Sequence, residues 1–178
     1  MQQRWLIPST ALMVLLAAAA PAHAQLGQRN ALVAAGVEPQ YTTDGGTFRP
    51  ALTGSVALEW GAPARRLGVR GGLLGFRHTG ASGSRLTLYG AEVLGTISMR
   101  RSGVRPYLLG GLGLYHASLE VPGAILVPFA EWQAGVSGGI GLGFPAGGVE
   151  PFIETRLLFM SSDRPIDTLL PIHFGLRF

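Results

Sequence analysis

The chain has no cysteine and no lysine, and only 13% of its residues carry a charged side chain. Without cysteine there is no disulfide framework, so core packing and backbone pairing have to hold the fold. The formal net charge of +4 comes entirely from arginines. These are scattered along the sequence, which argues against the nucleic acid that a basic balance would otherwise suggest. A long apolar run is also missing from the body of the chain. Gly, Pro or a charged residue interrupts every apolar stretch well short of the ~20 residues that a membrane-crossing helix needs. Neither metal nor cofactor is expected, because His78, His116 and His173 fall on different segments without ligand spacing. Gly110-Gly111-Leu112-Gly113 is no phosphate loop, since neither helix nor lysine follows it.

What is present is apolar and rich in glycine: 47% of residues are hydrophobic and 27 are Gly. Residues 1–24 form a unit of their own, with Arg4, an apolar stretch over 12–20, and Ala22-His23-Ala24 before Gln25. That order is expected of a secretory signal peptide, and the apolar stretch is about half the length of a spanning helix. Residues 25–178 are then a single exported domain. An exported chain this apolar, without helical spans, is either a small secreted sandwich or a membrane barrel.

The pattern decides between them. In residues 170–178, Leu170, Ile172, Phe174, Leu176 and Phe178 share one face, and Pro171, His173, Gly175 and Arg177 the other. This is a strand with one apolar side, and it runs to an aromatic end where soluble domains normally fray. The same period marks residues 30–41, with Glu38 inward, and 52–61, with Val56, Leu58 and Trp60 outward against Glu59. It recurs in 86–100, with Tyr89, Val93, Ile97 and Met99 outward against Glu92, Thr96, Ser98 and Arg100, and in 149–160, with Glu154 and Arg156 inward. Residues 131–144 place Trp132, Val136, Ile140, Leu142 and Phe144 against an inner face of Gln133, Gly135, Ser137, Gly139, Gly141 and Gly143. Such a face makes room for bulky side chains across a narrow lumen.

Two segments resist this reading. In 67–78, an inward Arg70 brings Leu74, Phe76 and His78 inward too, an awkward mixture for which a bulge at Gly71-Gly72 or at Gly75 is expected. Residues 104–117 are apolar on both faces, so their tyrosines orient them. Tyr107 and Tyr115 share a face about 26 Å apart along a strand, or roughly 20 Å of membrane depth, which suits aromatic girdles on an apolar band of about 25 Å. Both are therefore expected outward, and His116 inward.

Connections starting at Thr42, Thr79, Ser118 and Ser161 are long or flexible and polar, whereas those at Gly61, Arg101 and Pro145 are short turns. The expected fold is an all-β, eight-stranded antiparallel up-and-down transmembrane barrel, with both termini on the short-turn, periplasmic rim. Arg65, Arg66, Arg100, Arg101 and Arg105 flank the turns, facing water or headgroups.

The runs Arg105-Pro106-Tyr107-Leu108-Leu109-Gly110-Gly111-Leu112-Gly113-Leu114-Tyr115, Phe152-Ile153-Glu154-Thr155-Arg156 and Leu170-Pro171-Ile172-His173-Phe174-Gly175-Leu176-Arg177-Phe178 resemble the small OmpA-, OmpX- and opacity-type outer-membrane barrels of Gram-negative bacteria. The resemblance covers residues 25–178 and implies location in the outer-membrane bilayer. It also implies that Phe174, Leu176 and Phe178 form the signal read by the barrel-assembly machinery. It does not imply the peptidoglycan-binding domain of OmpA-type proteins.

Glu38, Glu59, Glu92 and Glu154 against Arg70, Arg156 and Arg177, with His173 beside them, are expected to form a lumen ion-pair network, because unpaired charges in a confined space are costly. Tyr41, Trp60, Tyr89, Tyr107, Tyr115, Trp132 and Phe144 are the expected aromatic girdles. The favoured role is a structural or surface-interaction protein with a filled lumen, not an enzyme. The alternatives are a narrow gated pore and a lipid A hydrolase built on His78 with Ser82 and Ser84, for which no orienting acid is evident. An extracellular partner would meet the loops, of which residues 121–129 are notably apolar.

Overall fold

The computed structural model describes residues 29–39, 41–43, 46–61, 67–80, 83–99, 103–122, 129–161 and 168–178. The expected signal segment, the turn arginines Arg65, Arg66, Arg100 and Arg101, and most of the apolar segment 121–129 lie outside them. Among the described residues every regular element is a strand: β1 Arg29–Glu38, β2 Tyr41–Thr43, β3 Gly46–Phe48, β4 Ala51–Trp60, β5 Leu67–Thr79, β6 Arg85–Ser98, β7 Arg105–Glu120, β8 Phe129–Gly143, β9 Glu150–Met160, β10 Thr168–Leu169 and β11 Ile172–Arg177.

Neighbours pair antiparallel in the order β1-β4-β5-β6-β7-β8-β9-β11, and β11 pairs back onto β1, so the sheet closes on itself. Closure removes both sheet edges, which would otherwise present unpaired backbone groups. β10 and β11 hold one register on β9, with Leu169 opposite Leu158 and Ile172 opposite Thr155. They are one stave whose ladder lapses at Leu170-Pro171, because proline has no N–H to donate. The Pro171 carbonyl still accepts from Arg156 N at 3.2 Å. The barrel is therefore eight-stranded. β2 and β3 form a separate hairpin, with Tyr41 opposite Phe48, in the first loop. The expected first strand accordingly stops at Glu38, before Pro39.

The connections after β4, β6 and β8 share one rim, here the turn rim. In the last of them Ala146 and Val149 exchange backbone hydrogen bonds of 2.9 and 3.3 Å around Gly147, whose φ of 66° suits a tight hairpin and few residues other than glycine. On the opposite, loop rim, Gly80 N donates to Ser84 O at 2.8 Å, one pair beyond Thr79 opposite Arg85.

Two expectations about facing are corrected. β5 contains no bulge: its register is unbroken from Leu67 opposite Ile97 to Thr79 opposite Arg85. Arg70, Leu74, Phe76 and His78 all face inward and are buried. β7 is turned over relative to the tyrosine argument, with Tyr107 2% and Tyr115 0% exposed, while Leu108, Leu112 and Leu114 face out. The cause lies in the glycines that face the two rings, Gly113 on β7 itself and the others on the neighbouring β8. A Cβ at Gly141 would collide with the Tyr107 ring, and one at Gly113 or Gly135 with the Tyr115 ring. The glycine-lined inner face of β8 leaves room for these two phenols. His116 correspondingly points outward, stacked on Tyr89 with ring centroids 4.9 Å apart.

The mixture on β5 is explained by a lumen in two layers. The half toward the loop rim is mainly apolar, built from Leu74, Phe76, Leu86, Leu88, Tyr115, Ala117, Leu158, Met160 and Leu169, with Glu38, His78 and Gln133 its buried polar exceptions. The half toward the turn rim holds the charges.

Candidate functional site: a charge ladder in the lumen

Period-two alternation sends every second side chain of each stave inward, and the staves bring distant charges together. Glu92 on β6 pairs with Arg156 on β9. Arg156 Nε lies 3.2 Å from Glu154 Oε1, and Glu154 Oε2 accepts from Arg70 Nη1 at 2.7 Å. Arg70 Nη2 lies 3.6 Å from Glu59 Oε2, which is 3.0 Å from Arg177 Nε. Arg177 pairs with Glu150, whose other oxygen meets Arg105 Nη2. Four carboxylates and four guanidiniums thus alternate along one path, so the formal charge sums to zero. Alternation is what makes burial tolerable, because each desolvated ion meets opposite charge on both sides, or on one at the ends.

Neutral groups fasten the ladder to the wall. Tyr107 OH donates to Glu154 at 2.8 Å, Tyr115 OH to Glu92 at 3.2 Å, and Thr96 Oγ1 to Glu59 at 2.9 Å. The Arg177 guanidinium sits 5.3 Å from the Tyr107 ring centroid, and Arg70 sits 5.8 Å from it. His173 lies beside the ladder. Thr53 Oγ1 is 3.1 Å from its Nε2, and Arg156 Nη2 is 3.4 Å from its Nδ1, so Nδ1 is the accepting nitrogen.

Glu59, Arg70, Glu92, Glu154, Arg156 and Arg177 of the expected network meet in this ladder. Glu38 does not: it lies near the loop rim and accepts from the Leu170 backbone N at 2.8 Å, because the apolar layer separates it from the arginines. His173 contributes hydrogen bonds rather than an ion pair. Glu150, Arg105 and the two tyrosine hydroxyls escaped the sequence reading. Glu150 shares the parity of Glu154, so that alternation, extended to the start of β9, places it inward. Arg105 was expected at the turn and instead shares the inward parity of Tyr107.

On the outer face, Trp60 and Phe144 stand near the turn rim, and Tyr89 and Trp132 toward the loop rim. The Tyr107 and Tyr115 side chains leave the expected girdle, and the Tyr41 side chain lies outside the described residues. Phe174 and Leu176 face out, while Phe178 closes the seam by donating to Ala31 O at 2.9 Å and accepting from Ala31 N at 3.3 Å. His78 points into the lumen and is fully buried, with Nδ1–H donating to Arg49 O at 3.0 Å. That removes it from the lipid-facing rim where the hydrolase reading needs it; Ser82 lies outside the described residues. Among the described residues no group of three or more His, Asp or Glu is placed to hold a metal.

No family model and no curated protein matches the chain. Solved structures match in fold. Neisserial surface protein A has a TM-score of 0.70 at 14% identity, over 85% of this chain and 96% of that one. The N-terminal β-barrel domain of Pseudomonas aeruginosa OprF gives 0.54 at 13%, over 86% and 100%. Ail, the attachment invasion locus protein of Yersinia pestis, solved with the heparin analogue sucrose octasulfate, gives 0.54 at 14%, over 85% and 99%. The chain has the small eight-stranded barrel fold that these proteins share.

Proposed function

We propose that this barrel is an integral outer-membrane protein, with a structural or surface-interaction role and a lumen closed by its own side chains. The observation that carries this reading is its inversion relative to a soluble domain. The eight ladder charges are inside, while large apolar side chains such as Leu52 (81% exposed) and Leu112 (66%) cover most of the outside. A continuous apolar exterior with aromatic residues toward both rims suits a bilayer. The alternation of short and long connections supports a reading with both termini in the periplasm and the loops outside the cell, available to a partner of the extracellular surface. The aromatic end of the closing stave serves as the recognition element for assembly into the outer membrane.

The filled lumen supports a scaffold in preference to a pore or an enzyme. Eight staves enclose a space that side chains just fill. Here an apolar layer and a charge ladder occupy it in series. Heat-modifiable gel migration of the protein from an outer-membrane fraction tests the location, and a soluble sandwich would show none. Planar-bilayer recording tests the closed lumen: no unitary current is expected from the wild type or from Glu92→Ala. Steady conductance of the wild type would replace the scaffold reading with a pore.

A further inference from the structure

The outer wall is not the same all the way round. Where β1, β4 and the last stave approach the loop rim, it stays apolar, with Val37, Leu52 and Leu170 exposed. Over β5 to β8 the apolar surface ends sooner, in rows fixed by the strand register. Val93, Leu112 and Val136 stand side by side, and two rows above them come Tyr89, His116 and Trp132. The next row toward the rim is Arg77, Thr87 and Ser118, and the one beyond it holds Arg85 and Glu120. Successive rows are about 7 Å apart along the strands and neighbours within a row about 5 Å, so two guanidiniums, two hydroxyls and an imidazole share one patch.

We infer that this patch, on the outer face of β5 to β7, binds the phosphate of an anionic lipid headgroup in the leaflet at the loop rim. The inference rests on the membrane reading given above. Charge complementarity selects the occupant. Arg77 is exposed and has no ion-pair partner among the described residues, while Arg85 has only a loose contact with Glu120, at 3.9 Å and with both side chains more than half exposed. Guanidiniums bind phosphate oxygens in paired, directed hydrogen bonds, and Thr87 and Ser118, in the row of Arg77 and between Arg85 and the ring floor, can donate more. That floor is ordered. His116 lies 4.9 Å from Tyr89 and edge-on to Trp132 at 5.2 Å, and its Nδ1 is buried without a hydrogen-bond partner. Aromatic rings of this kind sit at headgroup depth, with the cationic row just above them.

The test uses the full chain in phosphatidylcholine nanodiscs containing bisphosphorylated or dephosphorylated lipid A, with bound lipid counted by native mass spectrometry. The wild type is expected to retain the phosphorylated form selectively. Arg77→Gln should lower retention roughly fivefold, the factor expected of one basic residue at a membrane surface. Arg85→Gln should lower it less, and Glu120→Gln, which frees Arg85, should raise it. The double variant Arg65→Gln/Arg66→Gln, in the connection between β4 and β5, should leave it unchanged. Equal retention in wild type and Arg77→Gln/Arg85→Gln overturns the inference. So does equal loss in Arg65→Gln/Arg66→Gln, which would report net charge alone, or full displacement by millimolar inorganic phosphate, which would make this a free-anion site. Heat-modifiable migration is read on the same samples. Its absence sinks the membrane reading, whereas its presence without lipid selectivity sinks only this inference.

Discussion

Arg70 stands between two carboxylates, 2.7 Å from Glu154 and 3.6 Å from Glu59. Removing its charge leaves both anions buried with one arginine fewer between them. Breaking a buried pair from one side destabilises by about 3–5 kcal/mol, mostly because the abandoned charge cannot return to water. Arg70→Met should therefore lower unfolding stability by that order, measured by urea titration of the barrel folded into vesicles. Double-mutant cycles should find stronger coupling to Glu154 than to Glu59, following the two distances. Glycines offer a second contrast at this scale. A Cβ at inward Gly141 meets the Tyr107 ring, whereas at outward Gly138 the nearest atom is Leu109 O at 3.9 Å. Gly141→Val should prevent folding or cost several kcal/mol through overpacking. Gly138→Val should fold as well as the wild type or better, because Val suits a strand more than Gly does. Circular dichroism and gel migration of the two variants check this, and equal behaviour would show that the β8 glycines are not there to seat the tyrosines.

The stave formed by β10 and β11 carries two separable duties. Its backbone closes the barrel onto β1, ending in the two hydrogen bonds between Phe178 and Ala31. Its aromatic side chains are the proposed assembly signal. Phe178→Ala keeps the backbone bonds and removes the ring, so it should fold spontaneously into vesicles much like the wild type yet reach the outer membrane poorly in cells. Loss of both would mean that the ring matters to the barrel itself, and normal levels in cells would remove the signal role. Legibility also differed from stave to stave. β8 read correctly because apolar residues alternate with small or polar ones along it, and β6, β9 and the closing stave because Glu92, Glu154, Arg156, His173 and Arg177 mark the inner face although Leu86, Leu88, Leu158 and Leu169 share it. β7 did not, since Leu108, Leu112 and Leu114 are as apolar as the face carrying Leu109. The spacing of Tyr107 and Tyr115 matched a membrane thickness, and the competing information lay on another strand, in the glycines opposite. β5 looked inconsistent only because its inner face passes from the charged layer at Arg70 to the apolar layer at Leu74 and Phe76, and layering along the barrel axis is invisible to a period of two.

At the scale of the whole barrel the two layers block the lumen in series, and this fixes what it takes to open it. An ion entering from the loop rim first meets the layer of apolar side chains around Leu88 and Leu158, where the few polar groups, such as Ser137 and Gln133, cannot replace its hydration shell. If it passed, it would meet the ladder, in which Arg156 on β9 reaches Glu92 on β6 across the lumen while also pairing with Glu154 on its own strand. Barriers in series mean that removing either alone leaves the other to set the current. Leu88→Ala/Leu158→Ala should therefore remain silent in planar bilayers, and so should Arg156→Ser. The triple variant is expected to conduct, weakly and with cation preference, because it leaves Glu92 and Glu154 with fewer counter-charges than the wild type. Gel migration must show the triple variant to be folded for its current to be read. Conductance from the apolar double variant alone would mean that the ladder rearranges readily enough to pass ions, and that its eight alternating charges form a gate rather than a brace.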